Sequence, residues 1–527
     1  LEYGKQEVES GYLLKHFIPM QLRKYQQEAI NAILDKWKTY DKLLLVQPTG
    51  SGKTIVFSQI AKARLEHGRT LILAHREELI KQAQDKLQRS TGIVADREQG
   101  EHHAGDAQVI VASVQTMQRR LDKWANKFAT VIIDEAHHVL SDSYQEVLAA
   151  FKGAKILGVT ATPDRGDKRN LGSYFDEVAY EIGLLDLIKE KHLSKIFVKS
   201  VPLNIDLSNV RTIAGDFNEA DLGEALAPYL EAAADSLTEH ATGRKVLAFL
   251  PLIKTSQTFA QMCKLRGWKA EHVDGNSSDR EQILSRFASG DCNLLCNSML
   301  LTEGYDEPSI DCLMVLRPTR SRALYSQMIG RGTRPMPNKD HLLIIDPLWL
   351  TGKLSLIKPA HLIAESDEVA DIMSNINNVQ EALDLEVMQI DAQKIREESL
   401  RKKLAREAGI SKYRSRNLID PISYALDLHN TQLADYSETM KWHYQPATEG
   451  QIKALNNFGF DVQRVRNRGH ASKLLDLLFT RSNSKLATPK QVNWIRKMGH
   501  PSPNTATFTE AKDYLDKIFN KCIPIKA

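Results

Sequence analysis

Two series of short apolar runs, each alternating with amphipathic stretches, constrain this 527-residue chain more than any other feature. The first series lies at 43–46, 70–74, 108–112, 131–134 and 155–160. The second lies at 195–198, 245–250, 269–273, 293–296, 312–316 and 341–345. Many of these runs are rich in Val, Ile and Leu without alternation, as strands covered on both faces are. Helical segments such as 77–89 and 279–288 lie between them. Strand-helix alternation predicts parallel α/β layers, and two series predict two such domains joined near 183–209. A chain of this length has room for about three to five domains.

After Pro347 the pattern changes. Over 366–408 the residues Val369, Ile372, Ile376, Val379, Leu383, Val387 and Ile390 recur at helical spacing, which predicts helices packed on the core by that stripe, with a short coiled coil as the alternative. The segment 446–527 repeats itself at an offset of 40. Ala447-Thr448 and Gln451-Ile452 match Ala487-Thr488 and Gln491-Val492, and Gly459 matches Gly499. Ala471, Leu475, Asp476 and Phe479 match Ala511, Leu515, Asp516 and Phe519. Each Thr can cap a helix with Gln three residues on. Each Gly falls where a helix would end. The unit is therefore helix, loop, helix, present twice.

Net charge is only +4, but it is unevenly spread. Residues 401–527 carry 22 Lys and Arg against 11 Asp and Glu, and 361–400 carry 2 against 10. A basic tail behind an acidic connector points to a polyanion partner, or to an unevenly charged solvated face. The 42% hydrophobic and 26% charged residues are those of a soluble globular protein. No uncharged apolar run reaches the ~18 residues that cross a bilayer, so no membrane-spanning role is expected. The N-terminus, Leu1-Glu2-Tyr3-Gly4-Lys5, lacks the apolar stretch of a signal peptide. It also lacks an initiator Met, so the chain is expected to be a fragment or a processed product, with room for a further N-terminal domain. Cys263, Cys292, Cys296, Cys312 and Cys522 lack the spacing of a zinc site. They read as buried thiols of a reducing cytoplasm, at the nucleoid if the host is a bacterium or a phage.

Gln47-Pro48-Thr49-Gly50-Ser51-Gly52-Lys53-Thr54 follows the first strand and opens a helix. A glycine loop in that context can wrap phosphates with its N–H groups and the helix N-terminus. Lys53 can reach the β- and γ-phosphates, and the Thr54 hydroxyl can ligate Mg2+. The strict phosphate-loop pattern has Gly where this chain has Gln47. Val131-Ile132-Ile133-Asp134-Glu135-Ala136-His137 supplies a second half. Asp134, at a strand end, can hold the Mg2+ hydration shell, and Glu135 can orient or deprotonate an attacking water.

With these motifs the chain resembles the superfamily 2 helicases over about residues 20–346. Arg23-Lys24-Tyr25-Gln26 looks like the adenine-reading element, and Lys53-Thr54 falls in motif I. Ala74-His75-Arg76-Glu77 resembles motif Ia, and Ser113-Val114-Gln115-Thr116 resembles motif Ib. Asp134-Glu135-Ala136-His137 is the DEAH box, and Thr160-Ala161-Thr162 is motif III. Leu301-Thr302-Glu303-Gly304-Tyr305-Asp306 matches motif V, and the run from Gln327 through Gly330-Arg331 to Arg334 matches motif VI. The resemblance implies an ATP-hydrolysing enzyme that needs ATP and Mg2+. It implies nucleotide contacts from Arg23, Gln26, Gly50, Ser51, Gly52, Lys53, Thr54, Gly304, Asp306 and Gln327. Glu135 and Lys53 would act on the reacting phosphate, with Arg331 and Arg334 as arginine fingers. His137, Thr160 and Thr162 would couple the nucleotide to movement. Arg76, Ser113, Thr116 and Thr302 would grip nucleic-acid phosphates without reading bases. Arg464, Arg466 and Arg468 form a basic loop inside the first repeat and are read from their charge as phosphate contacts. Trp442 and Tyr444 could stack on bases or pack between domains.

His137, Thr160-Ala161-Thr162 and Gln327-Met328-Ile329-Gly330-Arg331 look more like DNA-acting branches, the RadD-like and XPB-like repair helicases or the restriction-type translocases, than RNA-unwinding ones. The tail departs from RadD-like proteins, which carry a cysteine zinc site after the motor. The fold class expected is α/β, two tandem RecA-like parallel-sheet domains with a C-terminal all-helical region. The domains expected are an N-terminal extension (1–20), two RecA-like domains (21–183 and 184–355), a helical connector (356–445) and the paired repeat (446–527). The function expected is an ATP-dependent DNA helicase or translocase in repair, recombination or replication. Two alternatives stand beside it. One is a duplex translocase or sensor of a defence or restriction system that does not unwind. The other is an ATP-gated adaptor that recruits a protein partner through its C-terminal repeats.

Overall fold

A computed structural model describes residues 21–75, 77–161, 171–213, 215–298, 301, 305–350, 356–364, 367–375, 381–410, 419–434, 436, 438 and 440–521. The first sheet comprises β1 (Lys42–Val46), β2 (Thr70–Ala74), β3 (Asp96–Glu98), β4 (Val109–Ser113), β5 (Thr130–Asp134), β6 (Lys155–Thr160) and β7 (Glu177–Glu181). Its order is β3-β4-β2-β5-β6-β1-β7, and every neighbouring pair is parallel. The second domain contains β8 (Lys195–Asp206), a hairpin of β9 (Thr212–Ile213) and β10 (Asp216–Phe217), β11 (Val246–Phe249), β12 (Ala270–Val273), β13 (Leu294–Asn297), β14 (Cys312–Val315), β15 (His341–Leu350) and β16 (Leu383–Asp384). Its sheet runs β12-β13-β11-β14-β15-β8-β16, parallel except for the antiparallel edge β16 on β8.

The continuous apolar runs have a direct cause. Leu43 and Leu45 of β1 pack with Ile33, Phe57 and Ile60 on one face of the sheet. Leu44 and Val46 pack with Trp124, Phe151 and Phe175 on the other. Successive side chains point to opposite faces, so a strand covered on both needs an apolar residue at every position. The sequence pattern does not pick out β3, β7 and β16, whose Asp-Arg-Glu, Glu-Val-Ala-Tyr-Glu and Leu-Asp residues are largely polar. All three are edge strands, where half the pairing and much of the cover are absent.

Both sheets fall in one compact unit, and most of the helical region falls in a second. No described helix is long and apolar enough to cross a membrane. The apolar stripe over 366–408 is not the buried face that its spacing predicts. Val369 is buried, but Val387 and Ile390 are 55% and 43% exposed, while Leu385, Met388, Ala392 and Arg396 are buried. The stretch is two helices, Asp367–Asn375 and Leu385–Ile410, with β16 between them. One helical phase therefore does not carry across it. Ile376 and Val379 lie outside the described residues.

The internal repeat is structural. Helices Glu449–Asn457 and Arg468–Asn483 form the first copy, and Pro489–Lys497 and Phe508–Lys521 the second. Gln451 N and Gln491 N each donate to the cap hydroxyl of Thr448 and Thr488 at 3.3 Å. Each glutamine Oε1 accepts the threonine N–H at 3.0 Å in return. Gln451 Nε2 donates to Arg468 O and Gln491 Nε2 to Phe508 O, both at 3.3 Å, so the capping glutamine also ties the two helices of its copy. Gly459 and Gly499 sit at φ +87° and +79°, the left-handed helix end that glycine adopts freely. The expected boundary at 445/446 cuts a shared core. Ile419, Tyr424, Leu426 and Leu433 pack with Leu455, Phe460, Leu474 and Leu478 of the first copy.

Beside that core His470 is fully buried, and it stacks on Tyr436, whose hydroxyl bonds to His443 Nδ1 at 2.7 Å. Burial first, then Lys473, push His443 down to about 4. Burial first, then Arg466, do the same to His470. Both histidines stay neutral in the fold while the unfolded chain protonates near pH 6.5. Stability is therefore whole above that pH and is lost as pH falls toward 4. The thermal midpoint of this unit is expected to drop between pH 7 and pH 5, and His470→Gln is expected to flatten the drop. A midpoint flat across that window would contradict the burial of both rings.

Candidate nucleotide and nucleic-acid site

The site is built where β5, β6 and β1 end side by side. Val46 pairs with Thr160 and Asp134 with Val159, and Gln47 N donates to Thr160 O at 3.0 Å. The glycine loop, the Asp134-Glu135 pair and Thr160 therefore emerge together at the carboxyl edge of a parallel sheet, where such sheets bind ligands. Gly50 and Gly52 turn the loop at φ +88° and +84° and deliver it to helix Lys53–Ala63. Tyr25 Oη and Gln26 Nε2 both donate to Ser51 O, at 2.5 and 3.3 Å. A Cβ on Gly52 would lie 2.7 Å from Gln26 Nε2. Gln26, assigned to adenine by the resemblance, here also braces the phosphate loop. Arg23, at the start of the same helix, reaches Tyr25 Oη and His192 O.

Thr49 Oγ1, Ser51 Oγ and Lys53 Nζ are buried in the loop without a hydrogen-bond partner among the described residues. Buried polar groups normally find partners, and these face the chemistry of a polyphosphate, so the loop fits a nucleotide. Thr54, second in the helix, is half-buried. Lys53 Nζ lies 3.9 Å from Glu135 Oε1, and His137 Nδ1 lies 3.4 Å from Glu135 Oε2. Burial alone would raise the Glu135 carboxyl. Lys53, then His137, and Gln327 of the second domain override burial and hold it well below the usual carboxylate range. Burial, then the charge of Glu135, push Asp134 up to about 6. A divalent cation between Asp134 and Thr54 would restore the Asp134 carboxylate. Glu135 itself sits at φ +52°, a strained backbone for a non-glycine residue.

The second domain closes the site. Helix Arg322–Gly330 carries Gln327 to Glu135 and ends against the glycine loop. Arg331 Nη1 donates to Tyr305 O at 2.6 Å, and Arg334 pairs with Asp306. Asp306 also lies 3.5 Å from Lys86 of the first domain. In this geometry the carboxylate of Asp306 faces two cations, and both arginines are held by residues 305–306. Arg76, Thr162, Thr302 and Gly304 lie outside the described residues.

Several residues expected to touch nucleic acid have internal partners. Ser113 Oγ caps its helix, accepting Thr116 N at 3.2 Å and donating to Thr116 Oγ1 at 2.8 Å. Gly100 N also donates to Thr116 Oγ1. Arg464 pairs with Asp420, Arg466 Nη1 donates to Tyr436 O at 2.6 Å, and Arg468 bonds Gln445 and lies over the Trp442 ring. A basic run reads as surface from its charge alone, but the turns of 419–445 bring acceptors onto it. Sequence reasoning also missed a chain of imidazoles. His75 lies edge-on to His138 at 4.5 Å, and His138 lies 4.1 Å from His137, which reaches Glu135. The DEAH-box glutamate is thereby in touch with the segment that resembles motif Ia.

Tandem parallel sheets, a glycine loop at a strand end and a carboxylate pair two strands away are the arrangement of a nucleotide-hydrolysing motor, and the chain's matches to known proteins place it with the superfamily 2 helicases. The chain carries both domains of that motor. Residues 19–165 match the family described as Type III restriction enzyme, res subunit, and 229–336 match the helicase conserved C-terminal domain. "Putative ATP-dependent helicase IRC3" of Saccharomyces cerevisiae is 34% identical over 374 residues, 66% of this chain and 54% of that protein. The chain thus spans about half the length of that relative. "DNA 3'-5' translocase XPB2" of Sulfurisphaera tokodaii is 23% identical over 62% of this chain and 81% of its own, which agrees with an XPB-like branch. Among solved structures, the ATP-dependent Type ISP restriction-modification enzyme LlaBIII bound to DNA shares the fold. Its TM-score is 0.50 at 16% identity, over 94% of this chain and 43% of that one.

Proposed function

We propose that this chain hydrolyses ATP between its two sheet domains and couples the hydrolysis to movement on DNA, in repair, recombination or replication. The observation that carries the reading is the meeting of Lys53, Glu135 and Gln327 from both domains at one strand edge. Lys53 neutralises the phosphates, and Glu135, held ionised, orients and deprotonates the attacking water. Thr54 and Asp134 would hold Mg2+, which supplies charge neutralisation at the β- and γ-oxygens. Arg331 and Arg334 stabilise the transferring phosphoryl group once they exchange Tyr305 and Asp306 for it. The His75–His138–His137 chain offers a route by which strand engagement reaches Glu135.

The tail is assigned to DNA as well. Its two copies enclose a cleft of about 570 Å³ lined by Phe458, Phe508, Arg481 and Lys485, with no carboxylate in the lining. Flat rings beside cations suit the bases and phosphates of a single strand. Lys485→Glu with Phe508→Ala is expected to weaken binding of a single-stranded oligonucleotide by about five- to a hundredfold, roughly 1–3 kcal/mol for the lost stacking contact. Unchanged affinity would remove the tail from the reading.

The deciding experiment is ATP hydrolysis without nucleic acid and with single-stranded DNA, duplex DNA or RNA, beside Lys53→Ala. Stimulation by DNA that the variant lacks supports the motor. Stimulation by RNA alone overturns the substrate, and hydrolysis unaffected by Lys53→Ala overturns the site. A strand-displacement assay then separates an unwinding motor from a duplex translocase.

A further inference from the structure

Lys339 stands in the turn after the arginine segment, and backbone surrounds its ammonium. Nζ donates to Pro308 O at 3.3 Å, Gly332 O at 2.5 Å and Arg334 O at 2.8 Å. An ammonium has three donors, and here each meets a carbonyl. One carbonyl follows the Tyr305-Asp306 pair that holds the arginines. The other two bracket Thr333, inside the loop that carries Arg331 and Arg334. Ser194 fixes the same loop from β8's entry, with its N donating to Thr333 O at 2.7 Å and its Oγ to Arg334 O at 3.1 Å. A lysine in a Pro-Asn-Lys-Asp turn ordinarily keeps its charge in water. This one is drawn inward.

We propose that Lys339 is a positioning residue for the arginine segment. Its ammonium ties the backbone at 332 and 334 to the backbone at 308, so that Arg331 and Arg334 are presented to the phosphate in one geometry. The inference rests on the ATP-hydrolysis reading above for its kinetic consequence, but not for its structural one. A neutral amine would keep two N–H groups and turn a lone pair toward the third carbonyl, so the clamp holds only when protonated. Burial pushes the ammonium down to about 8. Asp311 opposes the shift and Arg334 adds to it, and these are the charged groups that face it. The clamp is therefore closed below about pH 8 and opens as pH rises through it.

The test compares wild type, Lys339→Met and Lys339→Arg as full chains. Amide exchange of the peptide 331–339, corrected for the intrinsic pH dependence, reads the clamp without catalysis. Steady-state ATP hydrolysis beside Lys53→Ala reads its consequence. In Lys339→Met, exchange is expected to quicken and kcat to fall about tenfold, the kinetic equivalent of one charged hydrogen bond. KM for ATP is expected to hold, because the glycine loop is untouched. Lys339→Arg is expected to restore kcat and to lack the alkaline limb near pH 8 that wild type shows in both readouts. Exchange unchanged in Lys339→Met, or the same limb in wild type and Lys339→Arg, overturns the proposal. If Lys339→Met does not fold, the comparison of limbs still decides. Absence of Lys53-dependent hydrolysis in wild type would overturn the functional reading alone, with exchange still deciding the clamp.

Discussion

Glu135→Gln is expected to lower kcat for DNA-stimulated ATP hydrolysis by about two to four orders of magnitude, the usual contribution of a positioned general base. The substitution keeps the size of the side chain and removes its charge. The charge is what this site is built to keep. Glu135 is 8% exposed, and Lys53 and His137 stand within 4 Å of its carboxylate. Gln327 donates to it from across the domain boundary. Glutamine can still accept from His137 or Gln327, so the two domains remain in register, but it cannot take a proton from water. KM for ATP is expected to change little or to fall, because a negative charge near the phosphates has gone. A kcat within threefold of wild type, with the protein folded by thermal melting, would move the base elsewhere. The neighbouring Asp134 would then be the residue to test.

The readable and unreadable parts of this fold divide along one physical line. Where a property is local in the chain, the sequence carries it. The interior strands are legible because burial on both faces forces an unbroken apolar run, as Leu43 to Val46 illustrates. The paired repeat is legible because Thr448-Gln451 and Thr488-Gln491 make their capping contacts within three residues. The glycine loop and the Asp134-Glu135 pair are legible for the same reason. Edge strands β3, β7 and β16 are not, since an edge needs no apolar signature. Nor are contacts whose two halves lie far apart in sequence. Lys86 and Asp306 meet only because two domains meet, and nothing around Lys86 sets it apart from any other lysine on an amphipathic helix. Arg464 and Arg466 read as phosphate ligands because their partners, Asp420 and Tyr436 O, lie about 30 to 44 residues away along the chain.

One such long-range contact sets the second large effect. Gly330→Ala is expected to reduce kcat by about a hundredfold, the effect of a misplacement near 1 Å at a reacting centre. Gly330 closes helix Arg322–Gly330 with an ordinary helical backbone, so φ does not demand glycine there. The neighbour demands it. A Cβ at Gly330 would lie 2.3 Å from Thr49 Cβ and 2.4 Å from Thr49 Cγ2, and a Cβ at Gly50 would lie 2.9 Å from Thr333 Oγ1. The Thr49 side chain of the phosphate loop therefore lies directly against the backbone of the last turn before the arginines, and Thr333 lies against the backbone of Gly50. Carbon atoms rest about 3.5–4.0 Å apart, so alanine forces the domains to separate by more than about 1 Å. Arg331, the next residue, moves with the helix, while Lys53 stays with its own sheet. KM for ATP is thus expected to hold while kcat falls. Removing the obstruction from the other side supplies the control. In a Thr49→Gly background the same substitution is expected to cost less than about tenfold, since the two positions couple only through this contact. Equal losses in both backgrounds would place the effect of Gly330 in its own helix, and the apposition of the two domains would then not depend on that contact.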